Sequence, residues 1–233
     1  MSGRKRKTSR RRLPYVLGAL LLAAGLLIMG GTLAYFRGRD VVTNRTASKT
    51  IEILLTELRW QESGREKAAR MEPGMVIEKD PCVYNNGETS VYVRMKLVLE
   101  DAEGNEIVSG ESERYESLLA AIYCGSVGGA AEKPLLALSG EAPVSQNPAF
   151  EYEDGWFYYR TDGVYTVLAP EEATPTLFDF VKVPVKKAEY NGVFDQGYRI
   201  VVVAQAVSSE LAGEEAVRQA FEDATSVAEQ DAP

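Results

Sequence analysis

Three acids stand just ahead of a tryptophan in this sequence: Glu151, Glu153 and Asp154 precede Trp156. Paired carboxylates are the working groups of glycoside hydrolysis, and an aromatic ring beside them is a platform on which a sugar can stack. The plainer reading is a charged loop leading into an aromatic strand. Tyr152, Trp156, Phe157, Tyr158 and Tyr159 are all strand formers suited to a half-buried surface. That reading is the one adopted, with glycan binding on the aromatic surface kept as an unspecific alternative.

No other grouping supplies chemistry. The chain contains no histidine, which excludes Ser-His-Asp and Cys-His catalysis in their usual forms and every zinc motif built on histidine. Cys82 and Cys124 lack a Cys-x-x-Cys partner, so a cysteine-only metal site is excluded too. The run GSVGG at 125–129 has no following Lys-Ser/Thr and so is no phosphate cradle. A calcium loop of the Asp-x-Asp-x-Asp-Gly type is absent. The expectation is a protein that is not an enzyme, with no catalytic, cofactor-binding or metal-ligating residue and no cofactor. The cysteines leave two readings open: one disulfide in an oxidising exterior, or two isolated thiols.

The elements that would carry these residues read as strands. Residues 50–60 (TIEILLTELRW) alternate with Ile51, Ile53 and Leu55 on one face, then change phase to Leu58 and Trp60, which predicts a strand with a bulge. Residues 61–70 are charged and read as a solvated loop. A second extended stretch, 75–84, is entered through Pro73-Gly74, and Asn85-Asn86-Gly87-Glu88 predicts a turn using positive φ.

Between 90 and 100, Val91, Val93, Met95, Leu97 and Leu99 alternate with Tyr92, Arg94, Lys96 and Glu100, a strand with one face on a core and one in solvent. Residues 113–123 carry Tyr115, Leu118, Leu119 and Ile122 at helical spacing. A long loop over 125–148 follows, then strands at 150–159, 164–168, 177–185 and 198–207. Asp162-Gly163 is a hairpin signal, Pro184 pushes its strand to an edge, and the apolar 198–207 segment should be central. Val217, Ala220, Phe221 and Ala224 make a short C-terminal helix, with a disordered end beyond it. Some seven strands without alternating helices give an all-β class with minor α: an antiparallel sandwich with one inserted helix and a C-terminal helix.

The ends of the chain bear on where it works. Seven bases lie among the first twelve residues, and 13–36 carry no charge. A basic start, an apolar stretch and small residues before Ala34 are the parts of a secretory signal, and the apolar stretch is also long enough to stay as an anchor. Cleaved or retained, it sends the rest outside the cell. The chain has 26 bases and 34 acids; without 1–34 it keeps 19 bases against 34 acids, a net of −15. So acidic a domain repels nucleic acid. The layout expected is 1–34 signal or anchor, 35–49 an extended arm, 50–208 the sandwich in one domain, and 209–233 a helix with an acidic tail.

Three segments resemble the TasA/camelysin family, exported with a SipW-class signal peptide. They are the junction Gly30-Gly31-Thr32-Leu33-Ala34-Tyr35-Phe36; the order Pro73-Gly74, Lys79-Asp80-Pro81, Asn85-Asn86-Gly87; and the late strand ending Ala204-Gln205-Ala206. The resemblance implies a jelly-roll domain, cleavage between Ala34 and Tyr35 by a dedicated signal peptidase, and a structural role at the cell surface or in a biofilm matrix. It further implies fibre growth by strand donation, in which the freed arm (Phe36, Val41 and Val42 among its apolar residues) completes the sheet of a second copy or of a related matrix subunit. Arg37 and Arg39 depart from the more acidic or neutral residues of relatives. The metalloprotease activity attached to the camelysin name is not carried over, because usual metal ligands are missing. The alternative expectation is a monomeric, membrane-tethered module binding a glycan or a protein.

Overall fold

A computed structural model describes residues 41–46, 49–108, 113–138, 142–190 and 192–228. The signal junction at Ala34 and Tyr35 and the arm residue Phe36 lie outside them. The described residues form one compact unit. Its fold is an all-β antiparallel sandwich with a few short helices.

Fourteen strands occur among the described residues. They are β1 (Val41–Thr46), β2 (Lys49–Thr56), β3 (Val76–Glu78), β4 (Cys82–Asn85), β5 (Val91–Asp101), β6 (Ile122–Cys124), β7 (Lys133–Pro134), β8 (Leu136–Ala137), β9 (Val144–Ser145), β10 (Phe150–Glu153), β11 (Trp156–Thr161), β12 (Val164–Tyr165), β13 (Phe180–Lys182) and β14 (Tyr198–Ser208). The helices are α1 (Arg65–Ala68), which continues a π-turn at Trp60–Gly64, α2 (Glu113–Ala120), α3 (Lys187–Tyr190) and α4 (Glu214–Ala228).

One sheet runs β10-β11-β5-β14, with β12 on β11; a second runs β1-β2-β4, a third β3-β13-β6-β7, and β8 pairs with β9. All these pairings are antiparallel. Val91, Val93, Met95, Leu97 and Leu99 of β5 meet Ile51, Ile53, Val83, Ile77, Ile122 and Val181 from the other sheets, and Phe178 ahead of β13, in one continuous core. The alternation read in β5 is therefore the inner face of the sandwich.

Several expectations are corrected. The phase change after Leu55 is no bulge: β2 stops at Thr56, and Leu58 and Trp60 begin a helical segment that reaches Ala68, with Leu58 exposed. The charged 61–70 stretch is thus largely helical, because Asp80 holds the first amides of that turn. The Asn85–Glu88 bend uses no positive φ; the side chain of Asn85 closes it. Three two-residue strands break up the expected 125–148 loop, and only Phe180–Lys182 of the 177–185 stretch pairs as a strand, leaving Pro184 outside it.

β14 is not central. It pairs with β5 alone and ends its sheet, and it is apolar on both faces because α4 covers one of them. The same helix overturns the solvated face of β5, where Arg94 is 1% exposed. Asp162-Gly163 forms the expected hairpin, with φ of 52° and 74° between Thr161 and Val164. Asp154-Gly155 makes a second one of the same kind, with φ of 49° and 84°.

Candidate strand-exchange site

β2 is the strand on which the exported-fibre reading turns. Its residues Ile51 and Ile53 are buried in the core, while its two edges are engaged by β1 and by β4. β1 lies antiparallel on β2 with Val41 opposite Leu54, Val42 opposite Ile53, Thr43 opposite Glu52 and Thr46 opposite Lys49. Only residues 47 and 48 connect the two, the shortest common hairpin link. The expected free arm is corrected over this stretch. Val41 and Val42 belong to an edge strand paired within the chain, because β2 otherwise offers unmatched N–H and C=O groups along its outer edge. β1 closes the end of its sheet and pairs through one edge alone. Detaching it would free the outer edge of β2 without opening the β2–β4 ladder.

The motif residues lie behind that edge and hold β4, the inner partner of β2. Asp80 accepts from the backbone N–H groups of Arg59 (2.9 Å) and Trp60 (3.3 Å) and from Arg59 Nε (3.2 Å). Arg59 Nη2 reaches on to Asp179 at 2.6 Å. Burial pulls the Arg59 guanidinium down, but the hydrogen bonds to Asp179 and Asp80 outweigh it and leave its pKa raised. Lys79 Nζ donates to both oxygens of Glu57 at 2.7 and 2.8 Å and lies over the Trp60 ring. The carbonyl of Pro81 accepts from Leu177 N at 2.8 Å. Pro73-Gly74 turns the chain into β3, with Gly74 at φ 85° and its N–H on the carbonyls of Val183 and Pro184.

Asn85, with no exposed surface, does the most. Its Nδ2 donates to the carbonyls of Thr89 and Leu168 at 2.9 and 3.0 Å, and its Oδ1 accepts from Gly87 N at 3.0 Å. Lys79, Asp80, Pro81, Asn85 and Gly87 thus bracket β4, whereas Pro73 and Gly74 serve β3. Asn86 ties the bend back to β2, its backbone N–H on the Glu52 carbonyl and its Nδ2 on Glu52 Oε1 at 2.8 Å.

The two cysteines are free thiols. Cys82 Sγ lies 3.1 Å from Thr56 Oγ1, and Cys124 points at the Leu177 carbonyl. Burial raises the Cys82 pKa and pushes Cys124 up to about 12, with Asp179 adding to the second shift. Both therefore stay protonated and weakly nucleophilic at neutral pH.

Of the acids near Trp156, Glu151 and Glu153 are taken up in ion pairs, while Asp154 sits exposed in the turn at φ 49°. Arg160 binds Glu151 through Nε at 2.6 Å and Glu153 through Nη2, and Arg218 of α4 grips both oxygens of Glu153 at 2.8 and 3.1 Å. The bonds from Arg218, then Arg160, hold the Glu153 carboxyl below the usual carboxylate range despite partial burial. A general acid needs the opposite shift. A cavity of about 330 Å³ lies beside these groups, lined by Val144, Ser145, Phe150, Tyr152 and Arg160 among others.

Among the described residues, no group of three or more His, Cys, Asp or Glu could hold a metal, and no helix is long and apolar enough to cross a membrane. Sequence reasoning missed Arg94 and the Arg160–Glu153–Arg218 network, whose only sequence signal was charge within apolar alternation. No family model and no curated protein matches the chain.

Proposed function

We propose that this is an exported structural protein of the cell surface or matrix that polymerises by exchanging its first strand. The segment that pairs with β2 in one copy pairs with β2 of a neighbour, and the opened link at residues 47–48 joins the two. The observation that carries this reading is the edge position of β1, joined to β2 by two residues and held by a single ladder. A sheet edge accepts any strand of matching register, so a neighbour's copy of β1 fits where the chain's own copy fits. The basic, then apolar, start of the chain supports export, by signal peptidase cleavage after Ala34 or with the segment kept in the membrane.

The test uses purified residues 35–233. They should form oligomers or filaments under electron microscopy and light scattering, and deleting 35–49 should abolish them. A chain that stays monomeric at high concentration would overturn the proposal and favour the tethered binding module.

A further inference from the structure

The C-terminal helix α4 packs on the outer face of the β10-β11-β5-β14 sheet, away from the main core. Val217, Phe221 and Ala224 are buried there with Tyr158 and Val207, and Tyr92, Trp156 and Tyr165 line the edge of the cluster. This small cluster is separate from the main one. The helix joins β14 through residues 209–213, where Gly213 has a φ of 89° and Ser209 is tied to the Ser90 carbonyl by both its N–H and its hydroxyl.

Two ionic joints fasten the helix. At the first, the Arg94 guanidinium rises from β5, its Nη2 on the Phe221 carbonyl (2.9 Å), its Nη1 on Glu222 Oε1 (3.2 Å) and Tyr158 OH (3.0 Å), and its Nε on Gln205 Oε1 (2.7 Å). It lies between the faces of Trp156 (4.0 Å) and Phe221 (4.8 Å). At the second, Arg218 of the helix and Arg160 of β11 share the Glu153 carboxylate of β10. Both joints pass through carboxylates; the main sandwich also has ion pairs at Asp80, Asp179 and Glu57, but its central cluster is apolar.

We propose that α4 is an acid-released strap: as Glu153 takes up a proton it lifts from the sheet and uncovers the aromatic face of Tyr92, Trp156, Tyr158 and Tyr165, while the sandwich stays folded. The groups facing Glu153 are Arg160 of β11 and Arg218 of α4. Glu151 of β10 shares Arg160, Glu214 of α4 shares Arg218, and the Tyr165 ring of β12 lies under Arg160. Arg94 of β5 faces Glu222.

The arginines keep their charge at all accessible pH, so protonation acts on the carboxylates alone. The Glu153 carboxyl is lowered from its ordinary 4.5 in the docked state. Its contribution to docking is therefore complete above that ordinary value and disappears as pH falls through the lower, docked one. The proposal does not depend on strand exchange.

Hydrogen–deuterium exchange of the full chain, expressed as protection factors from neutral pH to about one unit below the ordinary glutamate value, tests it. Amides of 214–228 should lose protection first, with those of 91–101 still protected. Glu153→Gln, which fixes the neutral state, should cost the helix roughly threefold in protection at neutral pH and flatten its response to acid; Arg218→Gln should likewise lower protection at neutral pH. Loss of protection in the helix and β5 at one common pH, or a helix whose protection neither acid nor these variants change, would overturn it.

Discussion

Two fully enclosed positions account for much of how the early part of the chain folds. A Cβ on Gly64 would lie 1.9 Å from the Glu78 carbonyl oxygen and 2.9 Å from the Trp60 ring, so the π-turn can approach β3 only with glycine there. Gly64→Ala should lower unfolding free energy by roughly 3 kcal/mol in urea titration. Asn85→Ala would leave the Thr89 and Leu168 carbonyls and the Gly87 N–H to find other partners, at a cost of about 2–3 kcal/mol in the same measurement. The cysteines make a third check: thiol labelling in denaturant without reductant should count both as free. At this scale the sequence was legible in part. Asn-x-Gly announced a bend, but its mechanism is an inward amide rather than positive φ. That depends on Leu168, which is 83 residues away from Asn85 along the chain.

The inner face of β5 could be read directly, because alternation over Val91 to Leu99 is a local property of one strand. The outer face could not. Arg94 looks solvent-bound until α4 folds back on it, and the bond that shows this links residues 127 apart. The same helix misled the reading of β14, since apolar residues on both faces mark a strand covered twice and not necessarily one paired twice. Turn chemistry was read at Asp162-Gly163 but missed at Asp154-Gly155, which splits the expected 150–159 strand into a second two-residue hairpin. The helical stretch after β2 was unreadable because Asp80 sets it from another segment. Arg94→Met should lower stability by about 3 kcal/mol in urea titration, leaving Gln205 and the Phe221 carbonyl short of a donor. The loss should be concentrated in α4 by exchange, with β5 keeping most of its protection.

Among the described residues these pieces make one sandwich with a lightly attached element near each end. Buried polar anchors at Asp80, Lys79 and Asn85 hold β4 in place, and β4 holds β2. Among the described residues the strand outside β2 is hydrogen-bonded through one ladder only, although it also lies against β14, and that asymmetry is what a polymer grown by strand exchange needs. The all-β class followed from composition and alternation, whereas the pairing of Val41 and Val42 within the chain did not, because an arm and an edge strand have the same local pattern. Locking the hairpin tests the account most directly. Thr43 and Glu52 lie opposite each other, so Thr43→Cys with Glu52→Cys in residues 35–233 can be joined by oxidation. The oxidised protein should remain monomeric by light scattering and polymerise once reduced; filaments from the oxidised form would contradict strand exchange.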